Sequence, residues 1–215
     1  MELLVATLAH TRKGSYEDLE SRLRPVVDTL KNAPGILNAR LYCSKEDEGY
    51  CLFLTAWEDE EGWQKAQERY SPKDLLLLFT GEILTAAPEQ WLMHYLWGYS
   101  RPAGQPLVAE AHLATVQPDS ANRIARQWLD GLQRQAIAPT LAFAFLARGN
   151  SEDAMHYHTP GADGLHSTTG YTFLNLLSWP GEAQRKEFYA DQRYKALQSY
   201  LNNMGILRVL TLEPA

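Results

Sequence analysis

Residues 33–57 read APGILNARLYCSKEDEGYCLFLTAW, and this stretch decides the fold. The Pro34-Gly35 pair breaks the helical pattern that precedes it. Two runs rich in β-prone residues, 36–43 and 50–57, then flank a short polar turn. The stretch therefore predicts a β-hairpin that directly follows a helix.

Outward from the hairpin, the first half of the chain keeps alternating between strands and helices. Residues 3–10 form a β-prone run, and residues 15–30 place apolar side chains on one face of a helix. After the hairpin, one helical segment ends at Tyr70, and Pro72 starts another because proline fits the first turn of a helix. Residues 91–99 alternate in the manner of a strand. This order, βαββαβ, is the ferredoxin-like arrangement.

The second half repeats this order of elements. Matching residues, such as Trp57 and Trp179, also occur in the same order along both halves. We therefore predict two similar domains, 1–103 and 104–215, with a loop insertion at 148–170 in the second. The predicted elements of the second half are strands 107–115, 141–147, 171–179 and 206–212, a helix from Asp119, and a helical stretch 182–204 broken near 190–191.

Composition and charge exclude several classes of protein. Of the 215 residues, 45% are hydrophobic and 21% are charged, which is typical of a soluble globular protein and not of a disordered chain or a disulfide-dense scaffold. The net charge of −6 argues against nucleic acid as the main partner, since no basic surplus exists to displace phosphate counterions. No apolar run approaches the ~18 residues of a membrane helix, and the first residues lack a basic leader, so we expect no membrane partner and a cytoplasmic location.

Motifs with fixed spacing give no direct function. The sequence has no phosphate-binding glycine loop, dinucleotide fingerprint, nucleophile elbow or zinc-binding helix motif. The two cysteines, Cys43 and Cys51, are expected to be reduced thiols packed as small hydrophobes, with a redox pair as the alternative if their geometry permits one. His156, His158 and His166 lie in the insertion. A metal site there would need a further fixed ligand, so we expect no metal, and a lid over the second pocket is the favoured role.

The residues Leu23-Arg24-Pro25, Pro34-Gly35 and Thr55-Ala56-Trp57-Glu58 give the first half a specific likeness. Over most of residues 3–99 it resembles the antibiotic biosynthesis monooxygenase family. In the second half, the segment FYADQRYKAL at 188–197 is similar to the second-helix pattern of related dimeric α+β barrel proteins.

The resemblance implies an α+β fold of two ferredoxin-like βαββαβ repeats, whose antiparallel sheets pack as an intramolecular dimeric α+β barrel. Family members with a single domain reach that arrangement by homodimerising, and further homodimerisation of this chain stays open. The best-known family enzymes oxidise aromatic polyketide-type compounds without metal or flavin. The resemblance thus implies a cofactor-independent monooxygenase-like protein for a hydrophobic or aromatic small molecule. The alternative is a non-catalytic binding or accessory protein with degenerate pockets.

Candidate site residues in the first half follow from the pocket that such a reaction needs. An aromatic, water-excluding cavity and a group that deprotonates a phenol are required. The candidate catalytic residues are His94 and Tyr70, and the candidate substrate-binding residues are Thr7, Trp57, Trp63 and Trp91. For His94 the alternative is a half-buried histidine without a catalytic role, and for the tryptophans it is core packing.

The corresponding candidates in the second half are Glu110, Asn175, Trp179 and Tyr194, with His112 beside them on the first strand. We expect Glu110 to face solvent at a strand edge. The aromatic-rich first half is favoured as the active one. A haem-degrading branch of the family is disfavoured, because it uses an asparagine near the position of Thr7 and a histidine on the second helix, and no histidine occurs between Trp57 and Trp91.

Overall fold

The computed structural model describes residues 2–12, 16–44, 49–101, 108–138, 140–150, 170–204 and 206–214. The chain divides into two compact units, residues 1–94 with 212–215, and residues 95–211. This division lies within a strand, whereas the sequence places the domain boundary at 103/104.

The first unit has the βαββαβ order. Its elements are β1 (Leu3–His10), α1 (Tyr16–Lys31), β2 (Ile36–Cys43), β3 (Tyr50–Trp57), α2 (Glu60–Tyr70), α3 (Pro72–Thr80) and β4 (Glu89–Ser100), whose last residues belong to the second unit. All strand pairs are antiparallel, and the order across the sheet is β4-β1-β3-β2. The hairpin register places Cys43 opposite Cys51.

Local signals fix the ends of the helices in the first unit. The Asp59 carboxylate accepts a hydrogen bond from the Gly62 amide at 2.7 Å, which caps α2. The Ser71 hydroxyl caps α3 in the same manner, and Pro72 occupies its first turn as predicted. Helix α1 continues through Pro25. The apolar faces of β1 and α1 then share one core, which includes Leu3, Val5, Leu23 and Val26.

The second unit has the same order with different residues. Its elements are β5 (Val108–Val116), α4 (Pro118–Ile137), β6 (Phe143–Asn150), β7 (Tyr171–Trp179), α5 (Glu182–Ala190), α6 (Gln192–Met204) and β8 (Ile206–Pro214), whose end belongs to the first unit. The strand order β8-β5-β7-β6 matches that of the first unit, and His112 lies opposite Asn175 in the register. Helices α5 and α6 confirm the predicted break near 190–191.

The predicted fold class is confirmed. Both units are ferredoxin-like, and the four strands of each follow the same order across the sheet. Over the described ranges, no helix is long and apolar enough to cross a membrane.

Candidate functional site

The second unit contains a network of buried polar side chains between its sheet and its helices. Glu110 and His112 lie two positions apart on β5, so both project from the same face of the sheet. Apolar side chains of the same face, Ala114 and Val116, belong to the core under helices α4 to α6. Glu110 is 1% exposed and His112 is 0% exposed. A carboxyl and an imidazole therefore lie side by side inside the unit.

Glu110 is held by donors from two elements. Arg185 on α5 donates from Nε to Oε1 at 2.7 Å, and its Nη2 also contacts that oxygen. The Tyr189 hydroxyl donates to Oε2, and His112 Nε2 lies 3.4 Å from the same oxygen. Arg185 and Tyr189 are four residues apart on one helix, which places both on the face toward β5. The expectation that Glu110 faces solvent at a strand edge is therefore wrong: β5 lies between β7 and β8, and the helices cover the carboxyl.

His112 joins Glu110 to a second tyrosine. Its Nδ1 lies 2.8 Å from the Tyr194 hydroxyl, and its Nε2 lies 3.1 Å from the Tyr189 hydroxyl. Because an ionised Glu110 can only accept, we assign the ring proton to Nε2, facing the carboxylate. Nδ1 then accepts from Tyr194. The resulting chain of contacts runs from Tyr194 through His112 to Glu110 and Arg185.

Asn175 closes the network on the side of β7. In the orientation that satisfies both ends of its amide, the nitrogen donates to the Phe145 carbonyl at 3.0 Å. The oxygen accepts from Trp128 Nε1, also at 3.0 Å. Asn175 is fully buried, and its amide lies beside the Tyr194 hydroxyl. The amide therefore fixes the position of Trp128 next to the tyrosine.

The charges of the network follow from burial and hydrogen bonding together. Burial by itself raises the pKa of the Glu110 carboxyl, but the hydrogen bonds from His112, Tyr189 and Arg185 outweigh it and lower the pKa below its ordinary value. Burial raises the pKa of both Tyr189 and Tyr194, and the negative charge of Glu110 adds to the rise. At neutral pH the carboxyl is ionised and both tyrosines keep their protons.

The network reaches solvent at Arg185 and Tyr189. These two half-buried side chains line a surface cavity of about 440 Å³, whose other walls include Lys186 and Lys195. The cavity carries more positive than negative charge, with Glu182 as its one acidic wall residue. A small anion or phenol in this cavity would contact Arg185 and Tyr189, the two members of the network that line it.

Trp179 adds a donor that has no acceptor. Its side chain is 1% exposed and packs against Tyr189 with ring centroids 5.9 Å apart. Within the described part of the chain, its Nε1 has no hydrogen-bond partner. At the matching position of the first unit, Trp57 Nε1 donates to Thr55 Oγ1 at 2.9 Å. Two residues before Trp179 lies Leu177, whose side chain has no hydrogen-bond acceptor. The indole N–H of Trp179 therefore lacks the partner that Thr55 gives to Trp57.

The candidates of the first unit are largely part of a packed core. Trp57 and Trp63 are buried and pack edge to face at 5.1 Å. Thr7 is also buried, and its hydroxyl donates to Gln90 Oε1 at 3.0 Å. Trp91 is buried as well. Trp57 and Trp63 thus belong to the core between the sheet and its helices, whereas Trp91 is not part of that cluster.

The two residues predicted to be catalytic are not joined to such a network. His94 is half-buried on β4, and its Nδ1 has no hydrogen-bond partner among the described residues. Tyr70 is half-buried at the end of α2 and packs on the core. The described contacts of these two side chains join neither of them to a carboxyl group.

Sequence reasoning placed Glu110, Asn175, Trp179 and Tyr194 in one site, and the structure brings all four into one unit beside the same core. It did not single out Arg185 and Tyr189. The signal available for them was their four-residue spacing on a predicted helix, with Arg185 ahead of the FYADQRYKAL segment and Tyr189 within it.

Two further expectations can be compared with the structure only in part. His156, His158 and His166 lie outside the described residues. Among the residues that are described, no cluster of three potential metal ligands occurs. Cys43 and Cys51 are free and buried on paired strands.

Comparisons with known proteins agree with this architecture. The family model for antibiotic biosynthesis monooxygenases matches residues 1–70. No curated protein matches the chain.

Solved structures share the fold over the whole chain at low sequence identity. An anthrone oxidase-like protein has a TM-score of 0.71 at 14% identity, covering 100% of this chain and 91% of that one. A proposed monooxygenase from Fusobacterium nucleatum has a TM-score of 0.68 at 10% identity, covering 99% and 92%. A monooxygenase-like protein from Listeria innocua has a TM-score of 0.54 at 10% identity, covering 99% and 94%. At these identities the likeness shows the fold alone. Residues 1–70 are therefore similar to the antibiotic biosynthesis monooxygenase family.

Proposed function

We propose that this protein is a monooxygenase-like enzyme that oxidises a hydrophobic, aromatic small molecule without metal or flavin, and that its reaction site is in the second unit. The observation that carries the proposal is the buried Glu110–His112 pair, connected through Tyr189 to a cavity at the surface. The family match and the monooxygenase-like fold relatives support the reaction class. The proposal moves the site away from the aromatic-rich first half, because the packed core there offers no comparable network.

The chemistry asks for three things from the protein. A phenol or an activated C–H group must lose a proton, after which the electron-rich anion transfers electrons to dioxygen and then bonds to it. The protein supplies a proton acceptor, donors that stabilise the anion, and a site from which water is excluded. The substrate supplies all the electrons and dioxygen accepts them, so the protein itself needs no redox group.

The side chains of the second unit can supply the proton acceptor and a donor for the anion. Tyr189 lies between the cavity and the buried pair, so a proton taken from a ligand hydroxyl would pass through the Tyr189 hydroxyl. Tyr189 would then pass its own hydroxyl proton to Glu110 Oε2, the atom to which it donates, while the Nε2–H of His112 stays beside the same carboxyl group. Arg185, which lines the same cavity as Tyr189, is the donor for the anion. The raised pKa of Tyr189 keeps it a donor and carrier of protons, not a permanent base.

The test measures anthrone, hydroquinone and naphthol consumption and oxygen uptake by the purified chain under air. Tyr189→Phe and His112→Gln should lower the rate about a hundredfold or more, as expected for loss of general acid–base catalysis. Tyr70→Phe and His94→Gln are the matched variants of the first unit and should keep the wild-type rate. Circular dichroism confirms that each variant is folded.

Two outcomes would contradict the proposal. No consumption of any of these compounds by the wild type contradicts the reaction class. Loss of activity in Tyr70→Phe or His94→Gln, with Tyr189→Phe unaffected, contradicts the placement of the site.

A binding protein without turnover is the second candidate function. The accessory form of this alternative, with a degenerate pocket, is favoured by the first unit, where Trp57 and Trp63 are buried in the core and the Thr7 hydroxyl is satisfied by Gln90. For that unit we propose a structural role. Saturable binding of an aromatic phenol, with no oxygen uptake at any concentration, would favour this function for the whole chain.

A further inference from the structure

We propose that the second unit has another binding site, a groove between helices α4 and α6 that takes an aromatic carboxylate. The groove has a volume of about 350 Å³, within the range of small-molecule pockets. All of its walls come from the second unit. This inference goes beyond the proposed reaction, because the ligand of the groove need not be the substrate.

The charge of the groove selects an anion. Three arginines, Arg123, Arg134 and Arg193, line it together with one acidic residue, Asp130. The chain as a whole carries a net charge of −6, so this surplus of positive charge is local. A guanidinium presents parallel N–H donors that match a carboxylate in two-point contact.

Two of these arginines are available to a ligand. Arg134 and Arg193 form no ion pair or side-chain hydrogen bond with any residue that the structure describes, Asp130 included. Arg123 differs, because it contacts the Tyr200 hydroxyl and its guanidinium lies 5.0 Å from the centre of the Tyr200 ring. We therefore assign the carboxylate to Arg134 and Arg193 and a wall-forming role to Arg123.

The remaining wall residues of the groove favour a ligand with a flat, apolar ring system. Leu197 and the ring of Tyr194 are buried in its floor, and Tyr200 forms a side wall. Gly131 also lines the floor, and a side chain there would approach the Tyr194 ring and the Arg134 guanidinium to 3.9 Å. The absence of a side chain at this position leaves room for a ring beside the two arginines. An aromatic body held at one end by a carboxylate fits these surfaces.

The groove and the reaction site touch different sides of one residue. The ring of Tyr194 faces the groove, while its hydroxyl lies 2.8 Å from His112 Nδ1. The cavity at Arg185 and Tyr189 shares no wall residue with the groove. Variants at Tyr189 can therefore separate binding in the groove from binding at the reaction site.

The test is isothermal titration of the full chain with 2-naphthoate and with the neutral isostere 2-naphthamide. We expect saturable binding of 2-naphthoate and at least tenfold weaker binding of the amide. The double variant Arg134→Gln/Arg193→Gln should weaken 2-naphthoate binding at least tenfold as well, because charge-assisted hydrogen bonds to the carboxylate are lost. Arg134→Lys/Arg193→Lys should retain part of the affinity, since the charge stays.

Two controls decide where the ligand binds. Arg24→Gln/Arg69→Gln makes the same change of charge at exposed residues of the first unit and should bind 2-naphthoate as the wild type does. Tyr189→Phe should also bind it unchanged. Equal affinity for acid and amide, no loss in Arg134→Gln/Arg193→Gln, or a loss of affinity in Tyr189→Phe would each overturn the proposal, and none of these results bears on anthrone oxidation.

Discussion

Removing either partner of the Glu110–Arg185 pair should destabilise the protein, but by unequal amounts. Glu110 is buried, whereas the Arg185 side chain is 32% exposed. In Arg185→Met the carboxylate loses both guanidinium contacts and stays buried with Tyr189 and His112 as its remaining partners, so we expect a loss of about 3–5 kcal/mol in the free energy of unfolding. In Glu110→Gln the guanidinium can turn to water and to Glu182, 3.3 Å away, and we expect about 1–3 kcal/mol.

The pH dependence of the Glu110 contribution has a definite sign. The folded-state pKa of this carboxyl is lowered, so its ionised form stabilises the fold above the ordinary pKa of 4.5. That stability is lost as the pH falls through the folded-state pKa. The difference in unfolding free energy between the wild type and Glu110→Gln should therefore be constant above about pH 5.5 and shrink on further acidification.

Urea unfolding followed by circular dichroism, at about pH 7 and about pH 4, measures both effects. Lys186→Met is the matched control, because it removes an exposed cation from the same helix and should change stability by less than about 0.5 kcal/mol. Equal losses in Arg185→Met and Glu110→Gln would refute the reasoning. So would a difference between the wild type and Glu110→Gln that is the same at both pH values.

Two further predictions concern the first unit. Thr55→Val keeps the shape of the side chain but leaves Trp57 Nε1 without its acceptor, so thermal or urea unfolding should show a loss of about 1–3 kcal/mol; an unchanged stability would contradict the assigned bond. Cys43 and Cys51 are buried, and the hydrogen bond between their side chains, burial and the charge of Cys43 raise the pKa of the Cys51 thiol. Both thiols should react with a chromogenic disulfide reagent only after unfolding, and rapid reaction of the folded chain would contradict this.

The fold could be predicted because its signals are local. The breaker at Pro34-Gly35, the alternation of β-prone runs and the Pro72 helix start each act within a few residues, and the bounds of β2, β3 and β7 agree with those expected. Where bounds differ, as in β4 and β8, the strands extend further than their apolar residues, because pairing with neighbouring strands continues through polar positions.

The site could be predicted only in part, because the environment of a charged residue depends on distant partners. The small apolar neighbours of Glu110 in the sequence predict a carboxylate at a strand edge, whereas its burial depends on Arg185 and Tyr189, 75 and 79 residues further along the chain. An apolar residue such as Trp179 is expected in the core, and in the structure it is part of the core of the second unit. What distinguishes it is a missing acceptor, and comparing Leu177 with Thr55 across the two repeats could have revealed this from the sequence.

The assignment of residues 212–215 to the first unit has a consequence for the order in which the chain can fold. Cys43 and Tyr42 on β2 pair with Glu213 and Pro214 on β8, so this edge of the first sheet is completed by residues made after the whole second unit. During synthesis, β1 to β4 can already pair with one another while the edge at β2 still lacks that partner. An unpaired strand edge is where chains associate wrongly. The interval between synthesis of residue 43 and residue 213 is therefore the period in which a nascent chain most needs protection from aggregation.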